Sequence, residues 1–323
     1  MSASTESTAS SASTASTASS ASTESTASTE FIQPKTRDAF TLLKATEIKC
    51  LDDGFVRLED CMPRIIPKDR TMEVSIVKSA RISYASGLKD KTTDDNLVRY
   101  LMRNRHTSPL ESVKFTFHIR APKFVIIHLL RHRTANVNEF SQRYSTIREN
   151  SFYHPSKVED GIRLQSKTNK QGSVSQQEVN PEITTAMEET EHLLDEIYSC
   201  YQKLVKLGVS KEIARFCLPT ALYSELYYTM DLNNLLKFLS LRMDADHAQK
   251  ETVIYAEAMY NLVRPLLPVV MDAFDNFTFS NLILSRDEVA AIKAGSPDLP
   301  TSSESEKREF HQKLAALGLL PAE

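Results

Sequence analysis

Between Val113 and Arg120 apolar and polar residues alternate: Phe115, Phe117 and Ile119 fall on one side, Lys114, Thr116, His118 and Arg120 on the other. A period of two sends one set to a core and the other to solvent, which predicts a half-buried strand. Pro122 then opens an apolar run of Phe124, Val125, Ile126, Ile127, Leu129 and Leu130. That run predicts a helix to about Arg133, buried almost all round. Asp94 to Asn104 predicts an amphipathic helix with Leu97, Val98, Leu101 and Met102 on its inner face. Further strands are predicted over Cys50–Asp60 and the Tyr-rich Leu222–Met230, while Glu73–Ser79 fits either a strand or a helix start. Pro181–Leu207 reads as a long helix closed by Gly208. Lys211–Phe216, Asp231–Met243, His247–Val263 and Glu304–Leu317 read as the remaining helices.

Strands mixed with helices, without regular βαβ repeats, predict an α+β class: helices packed around a mixed sheet. No GxGxxG or GxxxxGK[ST] occurs and glycines number only 7, which argues against a dinucleotide-binding doubly wound fold and a P-loop. Apolar residues make up 41%, and the shortfall lies at the N-terminus, where Met1–Thr29 holds only Ser, Thr, Ala and Glu after the initiator. Such a stretch cannot offset its chain entropy and is expected to be a disordered tail. It has neither the apolar run of a secretion signal nor the arginines of a mitochondrial presequence. The expected division is a tail over 1–30, a catalytic domain over 31–284 and a polar C-terminal extension over 285–323. A mobile, Gln- and Lys-rich surface insertion is expected over Lys157–Asn180.

A net charge of −3 leaves no global basic field for nucleic acid. No apolar run approaches the roughly 20 residues that span a bilayer, so no membrane partner is expected. Cys50, Cys61, Cys200 and Cys217 form no CxxC pair and no metal-ligand spacing. They fit free thiols in a cytoplasmic protein without a bound metal.

Three charged features stand where charges are uncommon. His128, Arg131 and His132 share one edge of the apolar helix, at i, i+3 and i+4. Buried cations need partners, either carboxylates from neighbouring helices or an anionic ligand such as a phosphate. Arg242 lies seven residues beyond Leu235, at the end of the stripe Leu232, Leu235, Leu236 and Leu239. It could snorkel, pair with Asp244, Asp246 or His247, or face a ligand. Ser108-Pro109-Leu110-Glu111 matches a capping box, and such a helix start also offers free N–H groups to an anion.

The segment Arg131 to Tyr144 resembles, nearly residue for residue, the signature RHRxxSxNExSxRY of the flavin-dependent thymidylate synthases. Arg131, His132, Arg133, Asn138, Glu139, Ser141, Arg143 and Tyr144 match, with Asn136 where the pattern has Ser. SARISYASGLKD at 79–90, HTSPLE at 106–111, KFTFHIRAP at 114–122, EIARFCLP at 212–219 and LLKFLSLRMDADHAQ at 235–249 are similar to other blocks of that family, in family order. The likeness covers roughly Leu51 to Phe274.

This resemblance implies methylation of dUMP at C5, with carbon from 5,10-methylenetetrahydrofolate and hydride from NADPH through bound FAD. It also implies a homotetramer whose active sites are shared between subunits. It assigns dUMP to His128, Leu129, Leu130, Arg131, Glu139, Phe140, Ser141, Gln142, Arg143, Arg215 and Arg242. FAD falls to Ser108, Arg131, His132, Arg133, Glu139, Asp231, Asn233, Lys237 and His247. The family commonly has Asn, Arg and Asn at the positions of Asp231, Asn233 and Lys237, and Gln at that of His128. The resemblance makes Arg242 the catalytic residue, lying against the uracil and favouring its ionised form. No cysteine attack on C6 is then needed, and Cys217 is expected to pack. Ser141 has no evident His–Asp arrangement to activate it and is expected to donate a hydrogen bond to dUMP. Two other classes frame the expectation. A nucleic-acid binder would use the Arg-His-Arg cluster and interleaved tyrosines. A metal-dependent hydrolase would use His118, His128 and His132, but no HExxH spacing supports it.

Overall fold

A computed structural model describes residues 36–147, 151–167, 172–175, 180–245 and 247–320. The N-terminal repeat, parts of the 157–180 insertion and Asp246 lie outside the described residues.

Five strands form the central sheet: β1 (Glu47–Cys50), β2 (Gly54–Met62), β3 (Lys114–Pro122), β4 (Asn136–Glu139) and β5 (Tyr223–Asp231), in the order β1-β2-β3-β5-β4. The α+β class holds, with the difference that every pairing in this sheet is antiparallel rather than mixed. The strand expected over Cys50–Asp60 forms as β2, beginning at Gly54, and pairs through a turn at 51–53 with β1, which the sequence pattern did not mark. Asp52-Asp53-Gly54 is the turn signal, and Leu51 takes the left-handed conformation (φ 57°) to enter it.

The alternation in β3 maps directly onto burial: Phe115, Phe117 and Ile119 enter the core, while His118 and Arg120 look out from the other face. Antiparallel register sets β5 beside it, with Phe117 opposite Tyr228 and His118 opposite Tyr227. Tyr228 therefore points into the core, and Tyr227 stacks on His118 outside, ring centroids 5.0 Å apart. The core face is covered by helices Glu73–Arg81, Lys91–Arg103, Leu232–Arg242, Lys250–Val263 and Pro268–Phe274. Glu73–Ser79, ambiguous in sequence, is helical because Val74, Ile76 and Val77 bury a helix-spaced face in this core.

The helix after Pro122 is shorter and less buried than its composition predicts. It spans Lys123–Leu129, and Ile127 and Leu130 are 51% and 42% exposed. The buried Tyr228 hydroxyl donates to the Leu129 carbonyl at 3.0 Å, and the chain turns there toward β4. Long helix Pro181–Lys206 begins at an Asn180 cap and packs Leu194, Tyr198 and Tyr201 with Phe152 and Leu222 in a second, smaller core. Beyond Ser285, a capped helix Arg286–Ala294 unmarked in the sequence reading joins the expected Glu304–Ala316 helix around Ala291, Phe310 and Leu314. Among the described residues no helix is long and apolar enough to cross a membrane.

Candidate active site

Arg242 is the last residue of its helix, whose stripe Leu232, Leu235, Leu236 and Leu239 is buried. The stripe fixes the helix on the sheet, so its final turn projects over the end of the Lys123–Leu129 helix. There the Arg242 Nε–H donates to His132 Nε2 at 2.9 Å. The Phe238 and His132 rings meet edge-to-face with centroids 4.9 Å apart, and Phe238 in turn meets Tyr228 with centroids 6.2 Å apart. His128 Nδ1 is 3.2 Å from the hydroxyl of buried Thr252.

Burial, and then the nearby Arg242 charge, hold both His128 and His132 below the usual histidine range. Both surroundings thus favour the neutral imidazole over the cation. Arg131 and Arg133 are exposed, so their charges are solvated rather than buried along a helix edge. Among the described residues no carboxylate pairs with Arg131, Arg133 or Arg242. Asp244 bonds His247 at 2.8 Å.

The rest of the motif follows strand β4. Glu139 accepts from Lys123 Nζ and, at 2.8 Å, from the buried Ser224 hydroxyl. Neither Lys123 nor Ser224 was singled out in the sequence. Ser224 carried a signal, since the other core-facing positions of its strand, Leu226, Tyr228 and Met230, are apolar. Phe140 and Gln142 line a cleft of about 330 Å³ with Arg120, Ser224 and Glu225. Glu139 and Phe140 also border a second cleft of about 340 Å³ beside His118 and Tyr227. The Ser141 hydroxyl accepts from the Arg143 N–H at 3.4 Å. Arg143 meets Glu212 at 3.3 Å, on the segment that carries half-buried Arg215.

A third cleft, about 210 Å³, has an apolar floor of Leu101, Met102, Leu110, Leu236 and Phe274 and a polar rim that includes Asn233, Lys237 and Arg105. Ser108 is exposed beside it, in a 3-10 helix whose N-cap is Thr107. The expected capping box is absent: no side chain caps that helix, and Glu111 instead accepts from Asn233 at 3.4 Å. Asp231 caps the next helix, with its two oxygens bonded to the Asn234 N–H (2.9 Å) and side-chain amide (2.6 Å).

The helix Leu232–Arg242 carries both Asn233 and Lys237 of the third cleft and Arg242 at its end. Among the described residues no hydrogen bond or ion pair joins the Arg242–His132 group to the Asn233–Lys237 cleft or to the Arg143–Arg215 corner. His118 lies on the opposite sheet face from His132, bonded to Glu225 at 2.9 Å, so the three histidines weighed as a metal set do not converge. Cys217 directs its thiol to the Ala214 carbonyl at 3.5 Å, at the edge of the second core.

Residues 64–269 match the family described as thymidylate synthase complementing protein. A flavin-dependent thymidylate synthase of Dictyostelium discoideum is 45% identical over 83% of this chain and 86% of its own. One from Treponema denticola is 41% identical over 76% of this chain and 88% of its own. Among solved structures, a UMP/dUMP methylase PolB from Streptomyces cacaoi, bound with 5-Br dUMP, superposes with a TM-score of 0.60. It is 32% identical and covers 72% of this chain and 98% of its own. Motif, fold and matches agree: the chain belongs to the flavin-dependent thymidylate synthase family and is an enzyme of the methyltransferase class.

Proposed function

We propose that this protein converts dUMP to dTMP, taking its carbon from 5,10-methylenetetrahydrofolate and its hydride from NADPH by way of FAD. Written in balance, dUMP, methylenetetrahydrofolate, NADPH and a proton give dTMP, tetrahydrofolate and NADP⁺. The observation that carries the reading is the guanidinium of Arg242, held by the motif residue His132 at 2.9 Å and free of any carboxylate among the described residues. A fixed cation of this kind stabilises negative charge developing on a uracil ring. The ring is then nucleophilic at C5, and its C5 proton departs once the new carbon bond has formed. The position of Cys217 at the edge of the second core, its thiol directed to the Ala214 carbonyl, supports a route without thiol attack at C6.

Arg131, Arg143 and Arg215 suit the nucleotide phosphate, since their planar forks bind oxygen pairs and stay charged. Leu129, Leu130, Phe140, Ser141 and Gln142 complete the nucleotide set in this reading. FAD supplies the hydride when bound. The third cleft fits such a group: its apolar floor suits a flat ring system, and Lys237 and Arg105 suit a diphosphate. Asn233 and Ser108 would add polar contacts, and Arg133 and Glu139 would border the flavin from the motif. Asp231, with its oxygens committed to a helix cap, is assigned to the fold rather than to the flavin. His247, exposed and bonded to Asp244, would reach FAD only from the surface. A homotetramer in which neighbouring subunits complete each site belongs to this reading. The free cysteines Cys50, Cys61, Cys200 and Cys217 support a cytoplasmic location.

The test is a reconstitution series with purified protein. Full turnover is expected only with dUMP, methylenetetrahydrofolate, FAD and NADPH together, and light scattering should give the mass of four chains. An NADH arm reads the reductant preference. Protein that stays inactive after FAD is added would overturn the reading.

A further inference from the structure

We propose that His132 is a positioning residue for Arg242: its Nε2 lone pair fixes the guanidinium at the angle the uracil ring requires. The inference rests on the reading that Arg242 activates the ring, and it gives His132 a task other than flavin contact.

The direction of the hydrogen bond defines the requirement. Arg242 Nε is always a donor, so His132 Nε2 must accept, and the imidazole proton must sit on Nδ1. A protonated His132 would have no acceptor and would face a second cation. Burial and the Arg242 charge both disfavour a proton on His132.

The ring is held mechanically as well. His132 lies one turn past the end of its helix, where its N–H donates to the Leu129 carbonyl at 3.1 Å. The same carbonyl accepts from the Tyr228 hydroxyl at 3.0 Å. Phe238, one turn before Arg242 on the same helix, packs edge-to-face with the imidazole. Phe238 and Tyr228 are fully buried and in contact, so the imidazole rests on a buried aromatic pair. An arginine tethered only by its own flexible stem would sample many rotamers. One gripped at Nε presents its terminal nitrogens in a fixed plane.

The titratable groups around this point are Arg242 from its helix, Tyr228 from β5 and His128 one turn earlier. Glu251 of the Lys250–Val263 helix faces His128. Among the described residues no carboxylate pairs with His132 or Arg242, so His132 is the anchor in place of the acidic residue that commonly orients an arginine.

The experiment compares His132→Leu, His132→Gln and Arg242→Ala with wild type, all as FAD-loaded protein, reading kcat, the KM for dUMP and retained flavin. Leu removes the acceptor, while Gln restores one near the position of Nε2. His132→Leu should lose about 10- to 100-fold in kcat, the range for a hydrogen bond to a charged group, with little change in KM or flavin content. His132→Gln should recover most of that loss. Equal impairment of the Leu and Gln variants, or a His132→Leu enzyme within about twofold of wild type, would overturn the proposal. Should His132→Leu fail to fold, His132→Asn takes its place. Its shorter acceptor falls short of Arg242, so Asn must be slow where Gln is fast, and equal rates refute the idea. Arg242→Ala separates the two levels. If it stays active, the ring-activation reading itself falls. If it collapses while His132→Leu does not, only the positioning role falls.

Discussion

Replacing Arg242 with alanine removes one half-buried cation from the end of a helix that is otherwise anchored by four buried leucines. The stability cost should be small. A cation at a helix C-terminus contributes about 0.3–1 kcal/mol, and its loss also relieves the charge that disfavours protonation of His128 and His132. The catalytic cost should be large. A unit charge about 4 Å from a developing anion, at an effective dielectric of about 20, contributes roughly 4 kcal/mol. Loss of a single preorganised donor at such a charge costs about 2.7–4 kcal/mol in enzymes generally, or roughly 100- to 1000-fold in rate. The two estimates agree, and both far exceed the effect on folding. The assay is dTMP formation at saturating dUMP, with thermal melting and flavin absorbance measured on the same preparation. A variant that keeps its flavin and its melting point but turns over within about tenfold of wild type would refute the electrostatic argument. A further consequence is spectroscopic: the titration of His132 should move up toward the ordinary histidine value in this variant, because Arg242 is one of the two causes of its depression.

Asp94, 3% exposed, bridges Arg81 at 2.5 Å and Arg70 at 3.0 Å. Asp94→Ala strands the buried Arg81 cation, so a loss of about 3–5 kcal/mol is expected, read by denaturant titration, and a loss under about 1 kcal/mol would contradict it. At Gly54 an added Cβ would lie 2.7 Å from the Cys50 carbonyl and 2.8 Å from the Arg120 carbonyl, besides crowding the Tyr255 hydroxyl. Gly54→Ala should therefore cost about 1–3 kcal/mol, and adding Tyr255→Phe should recover only part, since the carbonyl contacts remain; full recovery would show that Tyr255 alone sets the limit. His128 and His132 have folded-state pKa values depressed from 6.5. As pH falls below that value the unfolded chain takes up protons that the folded one refuses, so stability should drop from there until the folded pKa values are passed. Melting points recorded from pH 7.5 to 5 should show this slope, and its persistence unchanged in a His128→Gln, His132→Gln double variant would assign it elsewhere.

Those parts of the fold governed by local pattern were legible in the sequence. Phe115, Phe117 and Ile119 announced β3, and the leucine stripe announced the helix that ends at Arg242. Elements set by long-range contacts were not. The helix after Pro122 stops at Leu129 through a hydroxyl nearly a hundred residues downstream, and four consecutive motif residues, Asn136 to Glu139, become strand because β5 offers its edge to them. The apolar run before them read as buried all round because composition does not reveal that one flank stays open. At the site, the motif marked where charges would gather but not which of them would be charged. The lowering of the His128 and His132 pKa values comes from burial and from Arg242, more than a hundred residues away in the chain. Lys123 and Ser224, which hold Glu139, carry no motif of their own. Asp231 was expected near the flavin through the family resemblance alone, and its position just before a leucine-rich helix is also that of the cap it forms.

The central claim is that this chain passes a hydride through bound flavin to a uracil nucleotide that it has itself activated. An anaerobic single-turnover spectrum tests this most directly. The oxidised flavin bands of the FAD-loaded protein should bleach with NADPH, then return only when dUMP and methylenetetrahydrofolate are both present, in step with dTMP formation. Flavin that fails to bind or bleach, or that reoxidises with no dTMP formed, would contradict the account.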